Sequence, residues 1–245
     1  MRRAWPGDWR ANAEFSPRLC ETVIVPPQLP ALIFDLDGTL TDSKPGIVAC
    51  LRKVLEAHGL AIEGPLERFV GPPVEEWVAE LMPGGTQQTR AELAQDYRAC
   101  YGREGWNKNS VYPGIRKMLI ELESEEFPLY VCTSKHHHFA VRILDLFELS
   151  GFFKAVYGDK AEYLSHSKAD LLAGLMRDCS LEAATSWMIG DRSYDIQAAR
   201  ANGVGSIAAA WGYGSREEWS QADAIAMAPD QVRSLAMATT KKSLV

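Results

Sequence analysis

Cysteine is scarce in this chain and never paired. The five cysteines, Cys20, Cys50, Cys100, Cys132 and Cys179, are widely spaced, with no CxxC among them. A disulfide framework or a zinc knuckle needs closely matched partners, so the expectation is reduced thiols in a cytoplasmic protein. Long apolar runs are lacking too: none approaches the roughly 18 to 20 residues that a membrane helix requires. No apolar stretch follows Arg2 and Arg3, so the first residues do not read as a secretory signal. Positive charge is in deficit, with 26 Lys and Arg against 32 Asp and Glu and a net charge of −6. That balance argues against a nucleic-acid polymer as the main partner, because binding a phosphate backbone needs a basic surface. It leaves room for a small anion held in a local positive pocket. No internal repeat or low-complexity tract is present.

Hydrophobic residues are plentiful instead. They make up 47% of 245 residues, enough for one large domain or a core with an inserted module. Residues 1–28 read as an irregular N-terminal extension. ALIFD (31–35) is a short apolar run ending in acid and glycine, the pattern of a buried strand. After the polar loop DGTLTDS the period changes. Ile47, Val48, Leu51, Val54 and Leu55 recur at helical steps, and two further helices are predicted at about 74–82 and 89–101. No convincing strand occurs between 44 and about 110. Strand and helix then alternate: helix 115–123, strand 128–134, helix 138–148, strand 153–158, helix 168–178, strand 186–191, helix 194–201 and strand 203–210. Repeated strand–helix units imply a parallel sheet covered on both faces, with the chemistry at the carboxyl ends of the strands.

The residues at those ends form a coherent set: Asp35 and Asp37, then Thr133 and Ser134, then Asp191 and Asp195, with Lys168 opening a helix. Carboxylates gathered at one edge repel each other unless a cation holds them, and oxygen ligands suit Mg²⁺. A hydroxyl, a lysine and helix N-termini would hold an anion. A metal beside an anion cradle is what phosphoryl transfer needs, and an aspartate can itself be the nucleophile.

The chain resembles the haloacid dehalogenase-like hydrolase superfamily. The resemblance rests on DLDGTLTD (35–42), Thr133, Lys168 and GDRSYD (190–195) in order, and it covers roughly residues 30–230. VYPGI (111–115), DIQAARANGV (195–204) and WGYGSREEW (211–219) are similar to its phosphoglycolate phosphatase-like members. The resemblance implies an α/β fold, a Rossmann-like parallel sheet in a three-layer α/β/α core with an inserted helical cap. The core would be 29–43 and 111–245, and the cap 44–110. It implies Asp35 as nucleophile and Asp37 as general acid and base. Gly38 and Thr39 would shape the loop between them. Thr133, Ser134 and Lys168 would hold phosphate, and Mg²⁺ would sit on Asp35, the Asp37 carbonyl and Asp191, with Asp195 in support. Lys168 lacks the proline that often follows it in the family, and Lys160 is the competing lysine.

The implied protein is a Mg²⁺-dependent phosphomonoesterase for a small phosphorylated metabolite, with no membrane or nucleic-acid partner, as a monomer or homodimer. Phosphoglycolate is the default substrate. A 5′-nucleotidase, a β-phosphoglucomutase-like mutase and a non-catalytic phosphate-binding protein are the alternatives. The triplet His136–His137–His138 reads as a helix start. Successive helical side chains point about 100° apart, so the three cannot share one ion. At most one of them is expected near the mouth of the site, with Lys135 beginning the same helix. Arg68, Trp77, Tyr97 and Arg98 are possible substrate contacts in the cap, and Arg192 faces either substrate or a surface partner.

Overall fold

The computed structural model describes residues 29–61, 63–160 and 167–240; the extension expected over 1–28 lies outside them. The run ALIF forms β1 (Ala31–Phe34), whose alternate side chains serve two layers. Leu32 and Phe34 enter one buried cluster and Ala31 and Ile33 another, as the two-residue period of a strand requires. After β1 the chain forms the two-residue β2 (Thr41–Asp42) and then leaves the core as α1 (Lys44–Ala57), with Pro45 in its first turn. α2 (Val74–Leu81) and α3 (Gln87–Cys100) follow. The Thr86 hydroxyl caps α3 by accepting from the Thr89 N–H. A single π-helical turn, Tyr101–Gly105, extends α3. The chain returns through β3 (Ser110–Val111), which pairs antiparallel with β2.

The remaining elements alternate much as the sequence pattern predicts. They are α4 (Ile115–Ser124), β4 (Leu129–His136), α5 (His137–Leu146), β5 (Ala155–Asp159), α6 (Lys168–Asp178), β6 (Ser186–Gly190), α7 (Ser193–Ala201) and β7 (Gly205–Ala209). Three further elements, unforeseen in the sequence, complete the fold: α8 (Arg216–Trp219), β8 (Ala224–Ala226) and α9 (Gln231–Thr240). Six strands form one parallel sheet in the order β5-β4-β1-β6-β7-β8. α4, α5 and α9 cover one face and α6 and α7 the other, which gives a Rossmann-like three-layer α/β/α core. β1 is flanked by β4 and β6, where the strand order changes direction, so its carboxyl end opens onto the crevice where such sheets bind ligands.

The inserted helices bury their own apolar cluster. Leu51 and Leu55 of α1, Trp77 of α2 and Leu93 and Tyr97 of α3 pack together there. The helical spacing read from residues 47–55 is thus the buried stripe of α1. Among the described residues, no helix is long and apolar enough to cross a membrane.

Candidate active site

β1 ends by delivering Asp35 to the edge of the sheet, where the Asp35 N–H donates to the Ile189 carbonyl of the neighbouring strand (2.8 Å). The chain then turns sharply. Gly38 has φ +86°, and a β-carbon there would run into the Asp191 carboxylate. This close approach brings the DxDGT loop onto the GDRSYD loop. The Thr39 hydroxyl points at Asp191 Oδ1 (3.4 Å), and the Trp211 indole N–H donates to the Thr39 carbonyl (2.9 Å).

Lys168 is buried and bridges two carboxylates. Its Nζ lies 2.8 Å from Asp35 Oδ1 and 2.5 Å from Asp195 Oδ1. Neither oxygen has a hydrogen-bond partner of suitable angle among the described residues. Lys160, the competing lysine, is exposed. Asp35, Asp191 and Asp195 are all buried, and one oxygen from each falls within 4.8 Å of the others, so the cluster can hold a metal ion. An all-oxygen set suits a hard cation such as Mg²⁺. The charges are costly without one. Burial pushes the Asp35 carboxyl up to about 6, against the pull of Lys168 and with the help of Asp195. Burial also holds Asp191 well above the carboxylate range, reinforced by Asp195 and Asp35.

The GDRSYD loop is held from two sides. The Asp195 carboxylate accepts from the Arg192 N–H (3.0 Å), closing the first turn of α7. The WGYGSREEW segment clasps Asp191: the Tyr213 N–H donates to its Oδ2 (2.7 Å) and the Trp219 indole to its carbonyl (2.9 Å). Thr133 is buried at the end of the straight part of β4, and its hydroxyl accepts from the Lys135 N–H (3.2 Å). Asp35, Asp37, Thr133, Ser134, Lys168 and Asp195 all open onto one cavity of about 470 Å³. Asp191 lies just beneath it. The upper wall comes from the helical insert and includes Phe69, Trp77, Tyr97 and Tyr101, with Phe139 of α5 facing Tyr101 edge-on at 5.3 Å.

The same sequence elements find relatives among known proteins. The family model described as haloacid dehalogenase-like hydrolase matches residues 32–209. The chain belongs to the haloacid dehalogenase-like hydrolase family. It is 36% identical over 194 residues to a 5′-nucleotidase of Pseudomonas aeruginosa, covering 77% of this chain and 86% of the relative. It is 38% identical over 190 residues to the tyrosine-protein kinase PtkA of Mycobacterium tuberculosis, covering 77% of this chain but 64% of that protein's length. The crystal structure of a predicted phosphatase from Clostridium acetobutylicum superposes with a TM-score of 0.80 at 32% identity, covering 86% of this chain and 99% of the other.

Within this haloacid dehalogenase-like architecture, two features depart from the sequence reading and a third, Arg192, is one that reading leaves open. Lys135 does not begin the helix: it belongs to β4 and its Nζ sits 2.6 Å from Asp37 Oδ2. The β4–β5 register shifts between Thr133 and His136. Two histidines rather than one reach the cavity. His136, which caps α5, and His138 both line it, and His137 does not. Arg192 faces inward: its guanidinium pairs with Glu218 (3.0 Å) and donates to the Val70 carbonyl of the insert (2.6 Å). Of the four insert residues singled out, Trp77, Tyr97 and Arg98 line the cavity and Arg68 does not. Arg98 is paired with Glu75, and Arg68 with Glu80.

Proposed function

We propose that this chain is a Mg²⁺-dependent phosphomonoesterase working through an aspartyl-phosphate on Asp35. The observation that carries the reading is the meeting of Asp35, Lys168 and Thr133 on the floor of one cavity, with Asp191 directly behind. Asp35 attacks phosphorus as the bond to the leaving oxygen breaks, and Asp37 gives that oxygen a proton. Asp37 then takes a proton from the water that releases phosphate from Asp35. Lys168 and the Thr133 hydroxyl balance charge on the transferring group. Mg²⁺, held by Asp35, Asp191 and the Asp37 carbonyl, would supply further neutralisation of the phosphate. The helical insert serves as the cap that excludes water. Two contacts fasten it beside the catalytic loop: Arg192 to the Val70 carbonyl, and the Tyr194 hydroxyl to Glu76 (2.7 Å).

Size and lining favour a substrate with a flat organic group, such as a nucleoside 5′-monophosphate, over phosphoglycolate. A two-carbon acid leaves most of about 470 Å³ empty. Its carboxylate would also want a cation, and Arg98 and Arg192 already have acidic partners. The aromatic walls offer stacking faces instead. Hydrolysis of p-nitrophenyl phosphate with and without Mg²⁺, by wild type and Asp35→Asn, tests the chemistry. Metal-independent release, or an Asp35→Asn variant equal to wild type, would sink it. A panel of nucleoside monophosphates, phosphoglycolate and hexose phosphates tests the substrate. Isomerised hexose phosphate without free phosphate would identify a mutase.

A further inference from the structure

Lys135 is buried in the cavity wall between the core and the helical insert. Its ammonium lies 2.6 Å from Asp37 Oδ2, and the two side chains are only 10% and 13% exposed. On its other side the same ammonium stands 4.4 Å from the centroid of the Tyr101 ring, in the π-helical turn of the insert. Asp37 is held on one side only. Its Oδ1 is buried and has no hydrogen-bond partner among the described residues.

We infer that Lys135 is a positioning residue for proton transfer, fixing the Asp37 carboxyl through Oδ2 and leaving Oδ1 to exchange the proton. The inference rests on the acid–base reading of Asp37 given above. In the first half-reaction the Asp37 Oδ1–H bond breaks and its proton goes to the leaving oxygen as that oxygen parts from phosphorus. In the second, Oδ1 takes a proton from the water attacking the phosphoryl group on Asp35, which restores both carboxyls. Tyr101 holds the ammonium from the cap side, so the geometry at Asp37 is complete only with the insert seated.

Leaving-group dependence tests this. A nitrophenolate departs without a proton, whereas an alkoxide needs one. The value of kcat/KM reports only the steps up to phosphorylation of Asp35. Lys135→Met in the Mg²⁺-loaded enzyme should lose about 100-fold in kcat/KM on a nucleoside 5′-monophosphate, within the range of general acid catalysis. On p-nitrophenyl phosphate the loss should be no more than about threefold. Lys135→Arg should restore part of the loss, because it returns a charged donor to Asp37. Equal losses on the two substrates, or a rise in KM alone on both, would show that Lys135 binds phosphate directly and would overturn the inference.

Asp37→Asn separates this inference from the reading beneath it. If that variant lacks the leaving-group dependence, the acid–base role falls and the inference falls with it. If Asp37→Asn shows the dependence and Lys135→Met does not, only the role of Lys135 falls. Should Lys135→Met not fold, Tyr101→Leu carries the test. It should show the same bias toward p-nitrophenyl phosphate at about fivefold, the scale of one cation–π contact. The absence of that bias would overturn the inference.

Discussion

The Tyr213 N–H lies 2.7 Å from Asp191 Oδ2, so a backbone donor of the WGYGS turn orients one carboxylate of the buried Asp35–Asp191–Asp195 cluster. The hydroxyl of the same tyrosine donates to Asp42 (2.8 Å) and accepts from the Lys44 N–H (3.1 Å), where the chain enters the helical insert. One residue thereby ties the carboxylate cluster to the root of the insert. The packing around it is tight: a β-carbon on Gly212 would collide with Asp191 and with the Gly38 carbonyl.

Gly212→Ala should therefore displace Asp191 without touching substrate. The Mg²⁺ concentration for half-maximal activity should rise about 10- to 100-fold, as when the support of a metal ligand is removed. A magnesium titration of wild type and variant checks it. An unchanged midpoint would mean that Asp191 does not serve the metal.

Tyr213→Phe keeps the backbone donor and loses the two hydroxyl contacts. Each such hydrogen bond is worth about 0.5–1.5 kcal/mol. The urea midpoint should fall accordingly at unchanged slope, with the magnesium midpoint unmoved. A shift in the magnesium midpoint instead would place the hydroxyl in the metal site.

Lys168→Met should destabilise the fold by about 3–5 kcal/mol, because it leaves Asp35 and Asp195 as buried charges without their shared partner. Adding Asp195→Asn removes one of those charges and should recover part of the loss. Chemical denaturation of both variants gives the comparison. No recovery in the double variant would mean that Lys168 acts through packing rather than charge.

Burial raises the Asp35 carboxyl from an ordinary 3.8 to about 6. Between those values the folded state binds a proton that the unfolded state has released. The stabilisation linked to that proton is complete below 3.8 and is lost as pH rises through about 6. A bound cation favours the ionised carboxylates and offsets the loss. Mg²⁺ should consequently raise Tm more at about pH 7.5 than at about pH 5. Differential scanning calorimetry at both pH values measures the gain, and an equal gain at both would contradict the assignment.

Much of this could be read from the sequence, for a physical reason. β1, β4 and β6 are short apolar runs that end in polar residues, and α6 begins and ends where the pattern places it, at Lys168 and Asp178. Asp35, Thr133 and Asp191 follow from position alone, because strand ends of a parallel sheet share one edge. Lys135 does not, because the polar run SKHH gives no apolar period by which to tell the end of β4 from the start of α5. β2 and β3 are two residues each and are defined by pairing across 67 intervening residues, which leaves no local period to read. β8 and α9 pack through small contacts, Ala226, Val232 and Ala236, too few to stand out as an apolar stripe.

The β2–β3 ribbon has a consequence for how this architecture can change. The outgoing and returning chains cross side by side, with Thr41 opposite Val111 and Asp42 opposite Ser110. Everything between them hangs from one narrow stem, while Asp35, Lys168, Asp191 and Asp195 lie on the sheet side of it. The stem works as a socket. Another helical module of different lining could be spliced at the same two points, exchanging what is recognised while the reacting groups keep their places.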